Sequence, residues 1–307
     1  MSKNLSELSG RKGLDLNLFE QLGVAARETG TPDLEAQEQL SQEFLVGKSN
    51  VYGSVSFYDF LRPENQGKKI YVCNGSSCLT AGTQDEVRAK IARHFNPEEV
   101  GEMCCLGRCH ENRSFHYNGK NYSGQDIDNL VAIREQQSPT VEQYKVTSSG
   151  AAILTTPYGP VNEYYQIFKD CLQQPATDLL AQLRDSGLRG RGGAGFSMAF
   201  KLESCRNQKE ETRFIVCNAD EGDPGAYSDR YIMEQRPHSL LMGMMIAGYI
   251  AGASYGVVYI RGEYPESVQI ITEAIADLES QNLLGQNILG SGFDYHFKVI
   301  KAQGAYI

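Results

Sequence analysis

Five cysteines fall within thirty-seven residues of this chain: a C-x4-C pair, Cys73 and Cys78, then a C-x3-C pair, Cys105 and Cys109, with Cys104 beside it. Four thiolates arriving as two close pairs from two loops are what a metal centre requires, because each pair spans one edge of the centre and the fold brings the pairs together. Spacing alone leaves the metal open. Zinc sites also use short Cys-x-Cys pairs, whereas the C-x4-C-x2-C run of plant-type ferredoxins does not match. Thiols scattered through a core are the bland alternative, and a redox disulfide is a third. The density of cysteines on Gly- and Ser-containing loops argues against scattered core thiols.

A second chemical feature is the run Gly190-Arg191-Gly192-Gly193-Ala194-Gly195. Such a loop exposes backbone N–H groups and lets a phosphate or a flat ring approach closely. Arg189, Arg191 and Lys201 add positive charge. As a string the run matches the dinucleotide fingerprint, but a Rossmann loop follows a strand and this one follows a helix ending at Ser186. No Gly-Lys-Ser/Thr closes it, so it is not a P-loop. A third feature, Val216 to Gly225, lies at the C-terminal end of a strand, where open α/β sheets bind ligands. There Asn218 offers a donor and an acceptor, and Asp220, Glu221 and Asp223 can accept from ribityl or ribose hydroxyls. An acidic surface turn accounts for the Asp-Pro-Gly portion alone.

The elements that position these residues follow from pattern. The first sixty residues read as helices: Leu14, Leu16, Leu18, Phe19 and Leu22 lead an apolar face stopped at Gly30, and Thr31-Pro32-Asp33 opens a second helix with Pro in its first turn. Lys69 to Cys73 is a strand delivering a cysteine at its end, Gln84 to Phe95 a helix, and Ser114 to Tyr122 a hairpin turning at Asn118-Gly119. Residues 1–133 form this mixed unit, and the Gln-, Ser-, Thr-, Pro- and Gly-rich residues 134–159 form a linker. Residues 160–307 alternate: a helix from Asp178 to Ser186 ended by Gly187, a strand from Arg213 to Cys217, and a helix from Pro237 to Ala251. A strand from Gly256 to Arg261, a helix from Pro265 to Gln281 and a strand from Tyr295 to Ile300 complete the pattern. Alternation of this kind predicts an α/β fold with a parallel sheet.

Composition narrows the function classes. The 307 residues carry 29 Lys and Arg against 38 Asp and Glu, a net charge of −9, which disfavours a nucleic-acid partner. The N-terminus holds no apolar segment of a secretory signal, so a cytoplasmic location is expected, and eight cysteines there point to thiolate chemistry rather than a disulfide framework. Ser239 to Ile260 carries no formal charge, but Gly243, Gly248, Gly252 and Gly256 interrupt it. It is expected to be a buried helix plus strand, with no membrane insertion. Gly252-Ala253-Ser254-Tyr255-Gly256 matches the hydrolase G-x-S-x-G but runs helix to strand, the reverse of a nucleophile elbow. The five histidines form no metal-binding pair.

Two resemblances then apply. Val51-Tyr52-Gly53-Ser54-Val55-Ser56-Phe57-Tyr58, the C-x4-C pair and Cys105-Leu106-Gly107-Arg108-Cys109 resemble the thioredoxin-like two-iron ferredoxin subunit of NADH dehydrogenases, over roughly residues 14–130. The resemblance implies one [2Fe–2S] cluster held by Cys73, Cys78, Cys105 and Cys109, with Cys104 as an additional cysteine. Ser186 to Phe196 and Cys217 to Glu221, extended by Arg261 to Pro265, Asn287 to Phe293 and Gly304 to Ile307, resemble the flavin-bearing NADH-oxidising subunit of respiratory complex I. That resemblance implies an FMN lined by Gly190, Arg191, Gly192, Gly193, Ala194, Gly195, Lys201, Asn218, Asp220 and Glu221. It also places NAD(H) or NADP(H) beside Phe196, Lys201, Asp223 and Tyr306.

Glu221-Gly222-Asp223-Pro224-Gly225 stands where respiratory members read Glu-Ser-Glu-Pro-Gly, and Ser197-Met198-Ala199 stands where they read Pro-Thr-Gly. The first of these departures, with the fusion of both modules in one chain, is more similar to the diaphorase subunits of soluble NAD(P)-linked hydrogenases and formate dehydrogenases. The expected fold is therefore N-terminal helices with a thioredoxin-like [2Fe–2S] ferredoxin domain, then an incomplete Rossmann-like α/β FMN-binding domain. The expected function is an electron-transfer flavoprotein subunit passing electrons between NAD(P)H, FMN and iron–sulfur clusters, within a multi-subunit dehydrogenase, hydrogenase or formate dehydrogenase. No side chain is required as an acid or base. In the family the Gly304-Ala305-Tyr306-Ile307 string continues into further flavin-site sequence, so a C-terminal truncation is expected. The alternative is a non-catalytic [2Fe–2S] relay or docking fragment.

Overall fold

The structure, a computed structural model, describes residues 18–28, 30–135, 144 and 146–302. Leu14, Leu16 and the Gly304 to Ile307 string, Tyr306 included, lie outside the described residues. The chain divides into two compact units, Met1–Glu142 and Gln143–Ile307.

The first unit opens with α1 (Leu18–Glu28), α2 (Leu34–Glu43) and α3 (Lys48–Phe57), closed around Leu22, Phe44, Val51, Val55 and Leu61. Asp33, expected inside the second helix, instead caps it: its carboxylate accepts from the Ala36 N–H at 2.8 Å, which requires a residue outside the helical turn and leaves Pro32 ahead of it. Then come β1 (Ile70–Cys73), α4 (Ser76–Thr80), α5 (Gln84–Ile91), β2 (Val100–Met103), β3 (Phe115–Tyr117), β4 (Lys120–Tyr122) and α6 (Leu130–Arg134). The sheet order is β2-β1-β3-β4, with β1 parallel to β2 and antiparallel to β3. Asn118 (φ 48°) and Gly119 (φ 78°) both turn left-handed, the requirement of the tight hairpin between β3 and β4. The strand β2 has no counterpart in the pattern-based reading, because Val-Gly-Glu-Met lacks a β-branched or aromatic run. Pairing to β1, not local propensity, makes it a strand.

The second unit carries α7 (Val161–Tyr164), α8 (Gln166–Leu172), α9 (Ala176–Asp185), α10 (Met198–Arg206), β5 (Phe214–Ala219), α11 (Ser228–Gln235), α12 (Pro237–Ala251), β6 (Tyr255–Ile260), α13 (Pro265–Ser280) and β7 (His296–Lys301). Its strands run parallel in the order β5-β6-β7. The uncharged stretch is α12, closed by left-handed Gly252 (φ 69°), followed by β6. Among the described residues no helix is long and apolar enough to cross a membrane. Leu241, Met245, Val258, Ile260, Ile271, Leu278 and Tyr295 form the core that α12 and α13 make against the sheet.

That core is packed to contact at two glycines. A Cβ at Gly248 would lie 2.3 Å from Tyr295 Cε2, and one at Gly256 would lie 2.6 Å from Phe297 Cε1. The buried Tyr295 hydroxyl donates to the Met244 carbonyl at 3.1 Å. Gly243, on the same helix as Gly248, is exposed and faces open space. Gly248→Ala should therefore destabilise the second unit by about 1–3 kcal/mol. Gly243→Ala should leave it unchanged or stabilise it by up to about 1 kcal/mol. Denaturant unfolding of the two variants side by side measures the contrast.

Burial also creates a pH dependence in the first unit. His116 on β3 is held below its ordinary value of 6.5 by burial, partly offset by its hydrogen bond to Asn121. A histidine whose folded value is depressed contributes fully above the unfolded value, and that contribution is lost as pH falls through the folded one. Stability of the first unit should thus decline as pH drops below about 6.5. Unfolding curves between neutral and mildly acidic pH should show the slope, and His116→Gln should flatten it.

Candidate functional site

Cys73 ends β1 and Cys78 sits on α4, both buried. Cys105 and Cys109 are half-buried on the loop after β2, and Cys104 is exposed. The register of the parallel pair sets this arrangement. Cys73 lies opposite Met103, and the Asn74 N–H bonds the Met103 carbonyl at 3.0 Å, so the second cysteine loop begins beside the first. Gly75 allows the approach: a Cβ there would stand 3.3 Å from Cys105 Cβ and 3.4 Å from Cys73 Sγ. The Gly75 N–H donates to Cys73 Sγ at 3.4 Å, and Cys105 Sγ lies 3.4 Å from Cys109 Sγ.

These sulfurs interact. Hydrogen bonds with Cys105 and Cys78, reinforced by burial, hold the Cys73 thiol above the usual range, while the bond from Cys73 draws Cys78 below it. Among the described residues no two cysteines are joined in a disulfide. Among the described residues no group of three His, Cys, Asp or Glu side chains is arranged to hold a single metal ion. Two thiolate pairs in mutual contact, soft donors throughout, fit a two-iron sulfur cluster with two cysteines per iron.

The loops carrying the cysteines are held by buried and half-buried polar side chains. Asp59, paired with Arg62 at 3.1 Å, accepts from the Cys104 N–H at 2.6 Å. Asn121 donates to the Leu106 carbonyl at 3.1 Å, and its Oδ1 faces His116 Nδ1 at 2.7 Å. Gln84 reaches the carbonyls of Cys73 and Ser114, and buried Arg108 donates to the Asn121 carbonyl at 3.2 Å. Ser114 Oγ lies 3.7 Å from Cys78 Sγ. Sequence reasoning missed Asp59, Gln84, Ser114 and Asn121. Their partners lie far away in the chain, so no local pattern marks them.

In the second unit the glycine loop leaves α9 through Gly187 (φ 64°) and doubles back. An antiparallel bridge joins Arg189 to Ser197, and the Gly190 N–H bonds the Phe196 carbonyl at 2.8 Å. Gly193 (φ 99°) and Gly195 (φ 58°) take conformations that favour glycine, and a Cβ at Gly192, Gly193 or Gly195 would meet nothing within 4 Å. The loop backbone is therefore open to an incoming group. Ser197 caps α10 through Phe200 N–H, the start of the helix that carries exposed Lys201. Exposed Phe196 and Phe200 stand edge to face at 5.5 Å and, with Arg184, Arg189, Gly195 and Glu203, line a cavity of about 550 Å³. Arg184 and Glu203 pair across it at 2.8 Å.

Asn218 is exposed near the end of β5, and its Oδ1 accepts from the Asp220 N–H at 3.1 Å. Asp220 Oδ1 is buried without a hydrogen-bond partner among the described residues. A buried acceptor without a donor is costly, and one hydroxyl of a ligand would satisfy it. The open glycine backbone and this orphaned carboxylate oxygen together fit a group bearing phosphate and hydroxyls, as FMN does. Glu221 is bonded within the chain. Its buried carboxylate accepts from Ser228 Oγ and the Asp229 N–H, both at 3.0 Å, from the Arg230 N–H at 3.2 Å and from the Tyr264 hydroxyl at 3.3 Å. It anchors the start of α11, where a negative charge is favoured. Asp223 is exposed on the following turn. Among the described residues no hydrogen bond or ion pair joins the glycine loop to this acidic turn.

Comparison with known proteins assigns both units. Residues 12–137 match the thioredoxin-like [2Fe–2S] ferredoxin family, and residues 183–307 match the Nuo51 FMN-binding domain. The alpha chain of the NAD-reducing hydrogenase HoxS of Cupriavidus necator is 28% identical over 299 residues, covering 88% of this chain and 50% of that protein. An NADH-quinone oxidoreductase subunit of Aquifex aeolicus is 42% identical over 143 residues, covering 47% of this chain and 33% of that one. A crystal structure of NAD⁺-reducing [NiFe]-hydrogenase in the H₂-reduced state superposes with a TM-score of 0.66 at 26% identity, covering 94% of this chain and 52% of its counterpart. The chain thus spans half or less of the length of these two relatives. It joins a thioredoxin-like [2Fe–2S] ferredoxin domain to a Nuo51-type FMN-binding domain, and its relatives are subunits of NAD-reducing hydrogenase and of NADH-quinone oxidoreductase.

Proposed function

We propose that this chain is an oxidoreductase subunit that passes electrons between NAD(P)H, FMN and iron–sulfur clusters, in the manner of a diaphorase. The observation that carries the reading is the presence, in one chain, of two thiol pairs in contact and of a glycine loop with an acidic strand end. Cys73, Cys78, Cys105 and Cys109 would hold a [2Fe–2S] cluster. The backbone from Gly190 to Gly195, with Arg191, Lys201, Asn218 and Asp220, would hold FMN, and Glu221 would support that site from behind by fixing α11. Phe196, Lys201, Asp223 and Tyr306 would receive the nicotinamide nucleotide. Bound FMN supplies exchange between two-electron hydride chemistry and one-electron transfer, and the cluster carries single electrons.

The protein's own contribution is binding and placement. Glycine N–H groups and basic side chains take the phosphate, Asp220 accepts from a hydroxyl, and Phe196 offers an aromatic face. The reading requires other subunits as electron partners, those of a multi-subunit NAD(P)-linked hydrogenase or dehydrogenase, and a cytoplasmic supply of NAD(P)H. Either direction of transfer is compatible with the same residues.

Two experiments test it. Replacing Cys73, Cys78, Cys105 or Cys109 singly by Ser should abolish or reshape the visible and electron paramagnetic resonance (EPR) spectrum of a two-iron cluster, while Cys104→Ser should preserve it. Stoichiometric zinc in place of iron would overturn the cluster assignment. The purified chain should also bind FMN stoichiometrically and reduce ferricyanide with NADH, and Asp220→Ala should weaken FMN binding about tenfold or more. Protein without flavin uptake or activity would overturn the enzymatic assignment.

A further inference from the structure

Ser114 is wholly buried and lies between the two cysteine loops and the sheet. Its backbone is fixed: its carbonyl accepts from the Cys73 N–H at 3.0 Å and from Gln84 at 3.2 Å. On that backbone the hydroxyl stands 3.7 Å from Cys78 Sγ and 3.5 Å from the Arg108 carbonyl. With Cys78 as a thiol, the sulfur donates to the hydroxyl oxygen and the hydroxyl donates to the carbonyl.

Iron ligation changes this arrangement. A cysteine bound to iron has lost its proton, so its sulfur can only accept. The only proton then available between Ser114 Oγ and Cys78 Sγ is the one on the hydroxyl. Its present acceptor is a weak competitor, since 3.5 Å is long for an O–H···O bond. The Arg108 carbonyl also already accepts from the Glu111 N–H at 3.2 Å and the Asn112 N–H at 3.0 Å.

We propose that Ser114 is a positioning residue of the iron–sulfur centre, whose hydroxyl donates to the ligating sulfur of Cys78 and raises the reduction potential of the cluster. The inference rests on the two-iron reading of the cysteines. Its physical cause is that a donor to a ligand sulfur stabilises the more negative, reduced cluster more than the oxidised one. The contact is shielded from water, so solvent does not substitute for it. It acts alongside the Gly75 N–H on Cys73 Sγ, giving each sulfur of the first pair a donor within the chain.

The test uses the full chain, Ser114→Ala and Ser114→Thr, each assayed for iron and for the two-iron spectrum before an EPR-monitored redox titration. Ser114→Ala should keep its cluster, but its reduced-to-oxidised ratio at the wild-type midpoint should fall about tenfold. For one electron that is a downward shift of about 59 mV. Ser114→Thr, which keeps the hydroxyl, should titrate near the wild type. A loaded Ser114→Ala with an unchanged midpoint overturns the proposal, as does a Ser114→Thr that titrates like Ser114→Ala. A Ser114→Ala that holds no cluster makes the hydroxyl a structural requirement and overturns it as well. Wild-type protein with no two-iron spectrum refutes the underlying cluster reading instead, an outcome distinct from all of these.

Discussion

The parallel pairing of β1 with β2 brings the two cysteine loops together, and the chemistry of the first unit depends on it. One strand ends at Cys73 and the other at Met103, directly opposite, so Cys104 to Cys109 must start at the edge of the first pair. A register slip of one residue would turn Cys73 to the other face of the sheet and separate the pairs. The register is held less by the strands, four residues each, than by side chains that clamp their ends. Asn65 grips β2 at Glu102 through both its amide nitrogen and its oxygen, and Asp59 takes the next loop N–H at Cys104. Buried polar groups are tolerated here because each has a geometric task and a partner.

The second unit solves a different problem. A ligand with phosphate and hydroxyls needs open backbone donors at one point and carboxylate acceptors at another, both on a rigid frame. Three parallel strands supply the frame, and β5 ends with Asn218 and Ala219 ahead of Asp220. Glu221, Arg230, Glu234, Glu266 and Tyr264 form a network centred on buried Arg230 that fixes α11, with the Arg230 guanidinium 4.9 Å from the Tyr264 ring centroid. The two carboxylates differ physically: Asp220 keeps a buried acceptor without a donor, and the fully bonded Glu221 holds the scaffold.

Much of this is legible from residue order because it depends on local chemistry. The cysteine pairs, β1 as a short β-branched run, the Asn118-Gly119 turn and α12 from Pro237 to Ala251 all follow from spacing and propensity. What is not legible depends on partners distant in the chain. The strand β2 exists through its neighbour, and α10 and α11 present too few apolar residues at helical spacing. Ala199 and Leu202 are buried on α10, and Arg230 and Met233 on α11, an arginine being invisible to any apolar pattern. Ser114 reads as the polar first residue of a hairpin until the structure sets it against Cys78. The internal bonds of Glu221 are equally invisible in the sequence, because its partners Ser228, Asp229, Arg230 and Tyr264 meet it only in the fold.

The proposed function requires electrons to cross between a nucleotide-fed flavin site and a two-iron centre. Anaerobic titration of FMN-loaded protein with NADH, followed by optical absorption and low-temperature EPR, tests that coupling most directly. NADH should bleach the flavin and produce the EPR signal of a reduced [2Fe–2S] cluster in stoichiometric amount. A signal elicited by dithionite but never by NADH, in protein that retains its flavin, would contradict the coupling.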